Sequence, residues 1–136
     1  MDFQEITEYR NTHNPYAARL GIVVEEIQLG YARAVKSIGP DDLNPVGLAH
    51  GGCYFSMADV ACGGAMASHG FAAVTAGGEY HFFRSAGVGD TITAEAQEIK
   101  FGQSLCVYQV RLTDQKKTLL GTGTFTFFNL GRPIEL

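Results

Sequence analysis

The sequence predicts an α+β fold in which an antiparallel sheet curls around one long central helix. Three features lead there. A strand pair comes early, the segment from Cys53 to Ser68 is apolar around nearly its whole circumference at helical spacing, and the chain after Gly70 consists of extended runs joined by short turns. A helix of that kind has to be covered on most sides, and the strands are what is available to cover it. At 136 residues the chain has room for one ordinary domain, expected to span 1–136.

From about Phe3 to Leu20 the chain is moderately polar and contains Asn14-Pro15, so one or two short helical turns broken near Pro15 are expected, serving as a cover. Gly21 to Leu29 carries Ile22, Val23, Val24 and Ile27, Gly30 can turn, and Tyr31 to Ile38 sets Ala32, Ala34 and Lys36 opposite Val35. That pattern reads as a β-hairpin. The loop from Gly39 to Gly47, dense in Pro, Asp, Asn and Gly, leads to His50-Gly51-Gly52 and the long helix. Gly63 and Gly64 each cost a helix interior about 1 kcal/mol relative to alanine, so another backbone is expected to pack closely there. His69-Gly70 suits a helix end. Strands are then expected over Phe71 to Arg84, Asp90 to Phe101, Leu105 to Thr113 and Thr118 to Asn129.

Composition is that of a globular protein, 46% hydrophobic and 18% charged. Ten Lys and Arg face fourteen Asp and Glu, and a formal net charge of -4 offers no basic field to a nucleic acid backbone, so no nucleic acid partner is expected. The run Met1-Asp2-Phe3-Gln4-Glu5 lacks the basic and apolar regions of a secretory signal. No segment reaches the roughly 20 apolar residues of a membrane helix. A cytoplasmic protein without a membrane partner is the expectation. Cys53, Cys62 and Cys106 are odd in number and form no C-x-x-C pair, which points to reduced, mostly buried side chains and to neither disulfides nor a zinc site.

The chemistry-bearing stretch is Asn44 to Asp59. Asp59 is the sole charged residue between Gly51 and Ser68, and an ionised carboxylate in apolar surroundings costs free energy unless it is paired or put to use. It is a candidate catalytic group. It could equally pair with an arginine such as Arg84 or cap backbone amides. Gly51 and Gly52 place backbone N–H groups at a helix start, where free donors and the macrodipole favour a developing oxyanion. The same His-Gly-Gly could be only a tight turn. Gly52 and Asp59 are separated by seven residues, about 10 Å along a helix axis, so both cannot touch one carbonyl. If both act on one substrate, they come from two subunits and the active unit is at least a dimer.

The run Asn44 to Gly52 followed by Phe55-Ser56-Met57-Ala58-Asp59 resembles the phenylacetyl-CoA type of hotdog-fold acyl-CoA thioesterases. Gly70-Phe71-Ala72-Ala73-Val74, Phe82-Phe83-Arg84, Gly89-Asp90-Thr91-Ile92-Thr93-Ala94 and Lys100-Phe101-Gly102-Gln103-Ser104 share the resemblance, which covers roughly Leu20 to the C-terminus. It implies a hotdog fold and hydrolysis of acyl-CoA thioesters to free acid and CoA. It also implies roles: Asp59 as general base or nucleophile, the Gly51 amide as oxyanion donor, Asn44 and His50 as orienting residues, and the Thr75 hydroxyl as an aid in placing water. Gly52, Phe83, Arg84, Gly102, Gln103 and Ser104 are the expected substrate contacts. A homodimer at minimum, and a homotetramer built as a dimer of dimers, are implied as well. No metal or redox cofactor is expected, coenzyme A entering only as part of the substrate. Arg84, Lys100, Arg111, Lys116 and Lys117 are available to its phosphates. Ser85 stands where the family commonly has proline, and Pro45 and Gly47 follow Asn44; these departures bear on the acyl pocket and not on the reaction type.

Two other readings compete. A binding module that senses acyl-CoA without turnover has no need of a buried carboxylate. A hotdog hydratase or dehydratase needs a histidine and a carboxylate arranged for proton transfer at carbon, and the proline-rich loop of those families is missing here.

Overall fold

The computed structural model of the chain describes residues 2–136. Two helices open it, α1 (Phe3–Thr12) and α2 (Pro15–Leu20). They are complete helices and not isolated turns, because each start has a side-chain cap: Asp2 accepts from the Gln4 amide and Asn14 from the Ala17 amide. The break falls at His13 and Asn14, with Pro15 in the first turn of α2, where its missing N–H leaves no bond unmade. The remaining elements are β1 (Val23–Gln28), β2 (Tyr31–Ser37), a 3₁₀ turn (Pro40–Asp42), α3 (Gly51–Ala67), β3 (Phe71–Phe82), β4 (Thr91–Phe101), β5 (Leu105–Thr113) and β6 (Leu119–Pro133).

The six strands make one antiparallel sheet in the order β1-β2-β4-β5-β6-β3, curled around α3 as the hotdog resemblance implies. Small residues let the helix sit close to the sheet. Ala32 lies opposite Ala96 and Ala34 opposite Ala94, all four closed to solvent, and Met57, Ala58, Ala61, Cys62 and Ala65 of α3 are equally closed. At Gly64 a Cβ would stand 3.0 Å from the Ala32 Cβ. The expected backbone approach at Gly63-Gly64 is thus made by side chains, Ala32 at one glycine and Arg10 of α1 at the other.

Element ends shift from expectation by one to four residues, β3 for one stopping at Phe82 and not Arg84. α3 starts at Gly51 and not Cys53 because the His50 side chain caps it. β6 continues past Asn129 to Pro133 because its ladder with β3 resumes after a register shift and ends at Phe71.

The sheet's two edges are treated differently. On β1, the Asn11 side-chain amide of α1 donates to the Val24 carbonyl at 2.8 Å and accepts from the Val24 N–H at 2.9 Å, so a side chain occupies that edge's backbone groups at Val24. β3, at the other end, is paired only with β6, and nearly all of it from Val74 to Phe82 is exposed. This twelve-residue edge strand leaves Val74 52% and Phe82 53% exposed, with its outer backbone groups unpaired by another strand. Cys53, Cys62 and Cys106 are free and buried. Among the described residues, no helix is long and apolar enough to cross a membrane, and no His, Cys, Asp and Glu group could hold a metal ion.

One buried charge ties the hairpin to the loop before α3. Lys36, 6% exposed, reaches Asp42 Oδ1 at 3.1 Å and donates to the Leu20 carbonyl. Asp42 in turn accepts from the Gly39 amide through Oδ2 and from the His50 amide through its carbonyl, each at 2.8 Å. Removing one member of a buried pair strands the other. Lys36→Met is therefore expected to lower stability by roughly 3–5 kcal/mol in urea unfolding, far more than an exposed lysine change would.

Candidate active site

The loop that leads into α3 is held by its own polar groups. Asn44 Oδ1 accepts from the Val46 amide at 3.1 Å and the Leu48 amide at 3.0 Å, while the Asn44 amide donates to the Leu48 carbonyl at 2.7 Å. Asn44 thus organises the turn, which the local Asx reading also expects. The Ala49 amide donates to the Ala86 carbonyl, and the Ala86 amide to the Tyr54 hydroxyl at 2.7 Å, tying the loop to the connection between β3 and β4.

His50 Nδ1 accepts from the Gly52 amide at 2.8 Å. A nitrogen that accepts carries no proton, so the neutral ring holds its proton on Nε2, a tautomer inferred from the bond. The Gly52 amide is thereby used up. The Gly51 amide has no acceptor among the described residues and stands at the positive end of a seventeen-residue helix. Gly51 lines a cavity of about 290 Å³ together with Asn44, Tyr54, Phe83 and Arg84. Of the expected substrate contacts, Phe83 and Arg84 therefore meet Gly51. Gly102, Gln103 and Ser104 form the β4–β5 turn and do not line that cavity.

Asp59 lies further along α3, half-buried and not fully buried. Its Oδ1 accepts from the Thr75 hydroxyl of β3 at 2.6 Å, a short bond of the kind a charged acceptor makes. Oδ2 receives no bond from the described residues. Arg84 is not its partner. The cation whose field reaches it is Arg10, which makes no ion pair within 4.0 Å; burial pushes the guanidinium pKa down and the charge of Asp59 pushes it back up. Gly51 and Asp59 are eight residues apart on one helix, about 12 Å along the axis, so one subunit cannot present both to a single carbonyl.

The other titratable groups lie elsewhere. His69 Nε2 meets Glu98 Oε1 at 2.6 Å while its ring stacks on Phe101, closing the end of α3, and His81 is exposed. Burial pushes the thiols of Cys53, Cys62 and Cys106 up, so they stay protonated near neutral pH and supply no thiolate nucleophile. Sequence reading missed Tyr54 as a loop anchor and Arg10 altogether; an arginine on a mostly polar N-terminal helix gives no signal of burial.

Comparison with known proteins identifies relatives of the chain. The family model of the thioesterase superfamily matches residues 46–120. The acyl-coenzyme A thioesterase PaaI of Escherichia coli (strain K12) is 33% identical over 114 residues, covering 80% of this chain and 81% of that protein. The structure of the E. coli PaaI protein from the phenylacetic acid degradation operon superposes with a TM-score of 0.89 at 28% identity, covering 98% of this chain and all (100%) of that one. A Streptococcus mutans UA159 protein bound to acetyl CoA superposes with a TM-score of 0.79 at 28% identity, covering 83% of this chain and 91% of that one.

The cap at His50 gives a direct check on what its ring does. His50→Ala is expected to lower stability by about 1 kcal/mol and His50→Asn, which can cap, by much less. Urea unfolding separates them, and equal losses in the two variants would remove the capping role.

Proposed function

The chain belongs to the thioesterase superfamily and is a thioester hydrolase, and from that premise we propose that it hydrolyses acyl-CoA thioesters as a homo-oligomer, with each catalytic site shared by two copies. The observation that carries the reading is the Thr75-to-Asp59 hydrogen bond on one part of α3, with an unused Gly51 amide at the start of the same helix.

In this reading the thioester carbonyl sits between Asp59 of one copy and Gly51 of the other. Asp59 Oδ2, left open while Thr75 fixes Oδ1, takes a proton from water as the water oxygen bonds to the carbonyl carbon. Alternatively the same oxygen attacks directly and forms an acyl-enzyme anhydride that water then opens. In either case the carbonyl oxygen gains negative charge and the Gly51 N–H, backed by the helix dipole, stabilises it. On the water route the C–S bond then breaks and the sulfur leaves with the proton returned from the Asp59 carboxyl; on the anhydride route it leaves as the thiolate, and the water that opens the anhydride supplies the proton. The cavity of Asn44, Phe83 and Arg84 takes the pantetheine end, with Arg84 available to the CoA phosphates. Pairing of two β3 edges would bring the helices of two copies side by side and bury the exposed Val74 and Phe82; such dimers pairing again would give a homotetramer.

Free-thiol release from a panel of aryl and aliphatic acyl-CoAs tests the reading. Wild-type protein is expected to release thiol, Asp59→Asn to fall roughly 10²- to 10⁴-fold in kcat, and Thr75→Val to fall about ten- to a hundred-fold, the worth of one hydrogen bond to a charged group. Binding of intact acyl-CoA with no thiol released by the wild type would replace catalysis with a sensing role.

A further inference from the structure

A cavity of about 470 Å³ lies on the far side of Asp59 from the start of α3, lined by Gly63 and Met66 of α3, Ala73 of β3, Phe127 of β6 and Arg10 of α1. Two placements connect it to the reacting centre. Gly63 follows Asp59 by four residues, so it sits on the same face of the helix about 6 Å further along. Phe127 is the ladder partner of Thr75, which holds Asp59. An acyl group whose carbonyl lies at Asp59 therefore has this cavity to run into.

A hydrocarbon tail would be served by an apolar lining throughout, and here a cation is part of the lining. The Arg10 guanidinium occupies the space a side chain at position 63 would fill, with Nη2 2.6 Å from where that Cβ would be, so Gly63 is what admits it. Arg10 Nε is sealed from solvent and has no hydrogen-bond partner among the described residues. Arginine keeps its proton in such a site, so the vacant donor belongs to a full positive charge. Asp59 acts on it only through space, and His13, Arg132 and Glu135, all exposed, line the cavity as well. The sealed Nε is out of a ligand's reach, so it is the guanidinium nitrogens lining the cavity that a ligand would meet, and the group that meets a guanidinium best is a carboxylate.

Resting on the thioesterase reading, we propose that the acyl group of the substrate ends in a carboxylate held by Arg10, the substrate being the CoA monothioester of a short dicarboxylic acid. The spacing along α3 suits an acyl chain of about four to six carbons. Arg10 then sets specificity and does not take part in bond making.

The test compares kcat/KM for adipyl-CoA and glutaryl-CoA with hexanoyl-CoA and pentanoyl-CoA, by thiol release, in the wild type and in Arg10→Met and Arg10→Lys. The wild type is expected to favour the carboxylated member of each pair at least ten-fold, Arg10→Met to bring that ratio near one, and Arg10→Lys, which keeps charge but loses the fork, to fall between. A measurement on the wild type alone stands beside it in case a variant does not fold: adipate should inhibit competitively at concentrations where hexanoate does not. Faster hydrolysis of the neutral partners, or a preference unchanged in Arg10→Met, overturns the proposal while leaving the thioesterase reading intact. No thiol from any of the four substrates, nor from an aryl-CoA, overturns both.

Discussion

A helix without a polar stripe has to be covered on nearly every side, and α3 is such a helix. The sheet meets that demand by curling, and the alanine pairs of β2 and β4 let it curl tightly, since larger side chains there would hold the helix off. The same demand explains why Asp59 stands out. It is the one charged group of the helix, and it lies where the cover thins, against the edge strand β3 and its Thr75 hydroxyl. Packing thus decides where the carboxylate can meet a substrate.

The start of the helix obeys a different rule. Its first amides cannot bond within the helix, and the chain spends one on His50 while leaving Gly51 open. The loop before it is fixed at both ends, by Asn44 across its own turn and by the Lys36–Asp42 pair beneath. An open donor on a rigid support is what oxyanion stabilisation requires, since no reorganisation remains to be done when charge develops. Because carboxylate and donor are separated by more than two turns, the fold itself argues for a second copy, and the uncovered β3 edge offers the place for it.

Much of this was legible in the sequence because it depends on local pattern. The apolar run after Cys53, the hairpin around Gly30 and the lone carboxylate at Asp59 all follow from spacing and residue type, and β5 lies where its alternation put it. Two of the boundaries that differed did so through contacts beyond a sequence window: a histidine serving as the cap of α3, and a bulged ladder carrying β6 to Pro133. Two other features had no local signal. Asn11 closes the β1 edge at Val24 and Arg10 fills the notch at Gly63, and both follow from how α1 docks on the domain. The glycine pair announced a close approach but not what approaches.

The sharing of one site by two copies can be measured by mixing two inactive variants. Asp59→Asn removes the base, and Gly51→Pro removes the amide proton at the first helical position, where proline fits and where His50, at φ -66° and ψ 141°, already has the backbone that a residue before proline needs. Co-refolded in equal amounts, the two should recover about a quarter of the wild-type thiol release, because random pairing leaves that share of sites with both groups intact. A mixture no more active than its parents, with mixed oligomers shown to have formed, would mean that each copy works alone and that the account of the site is wrong.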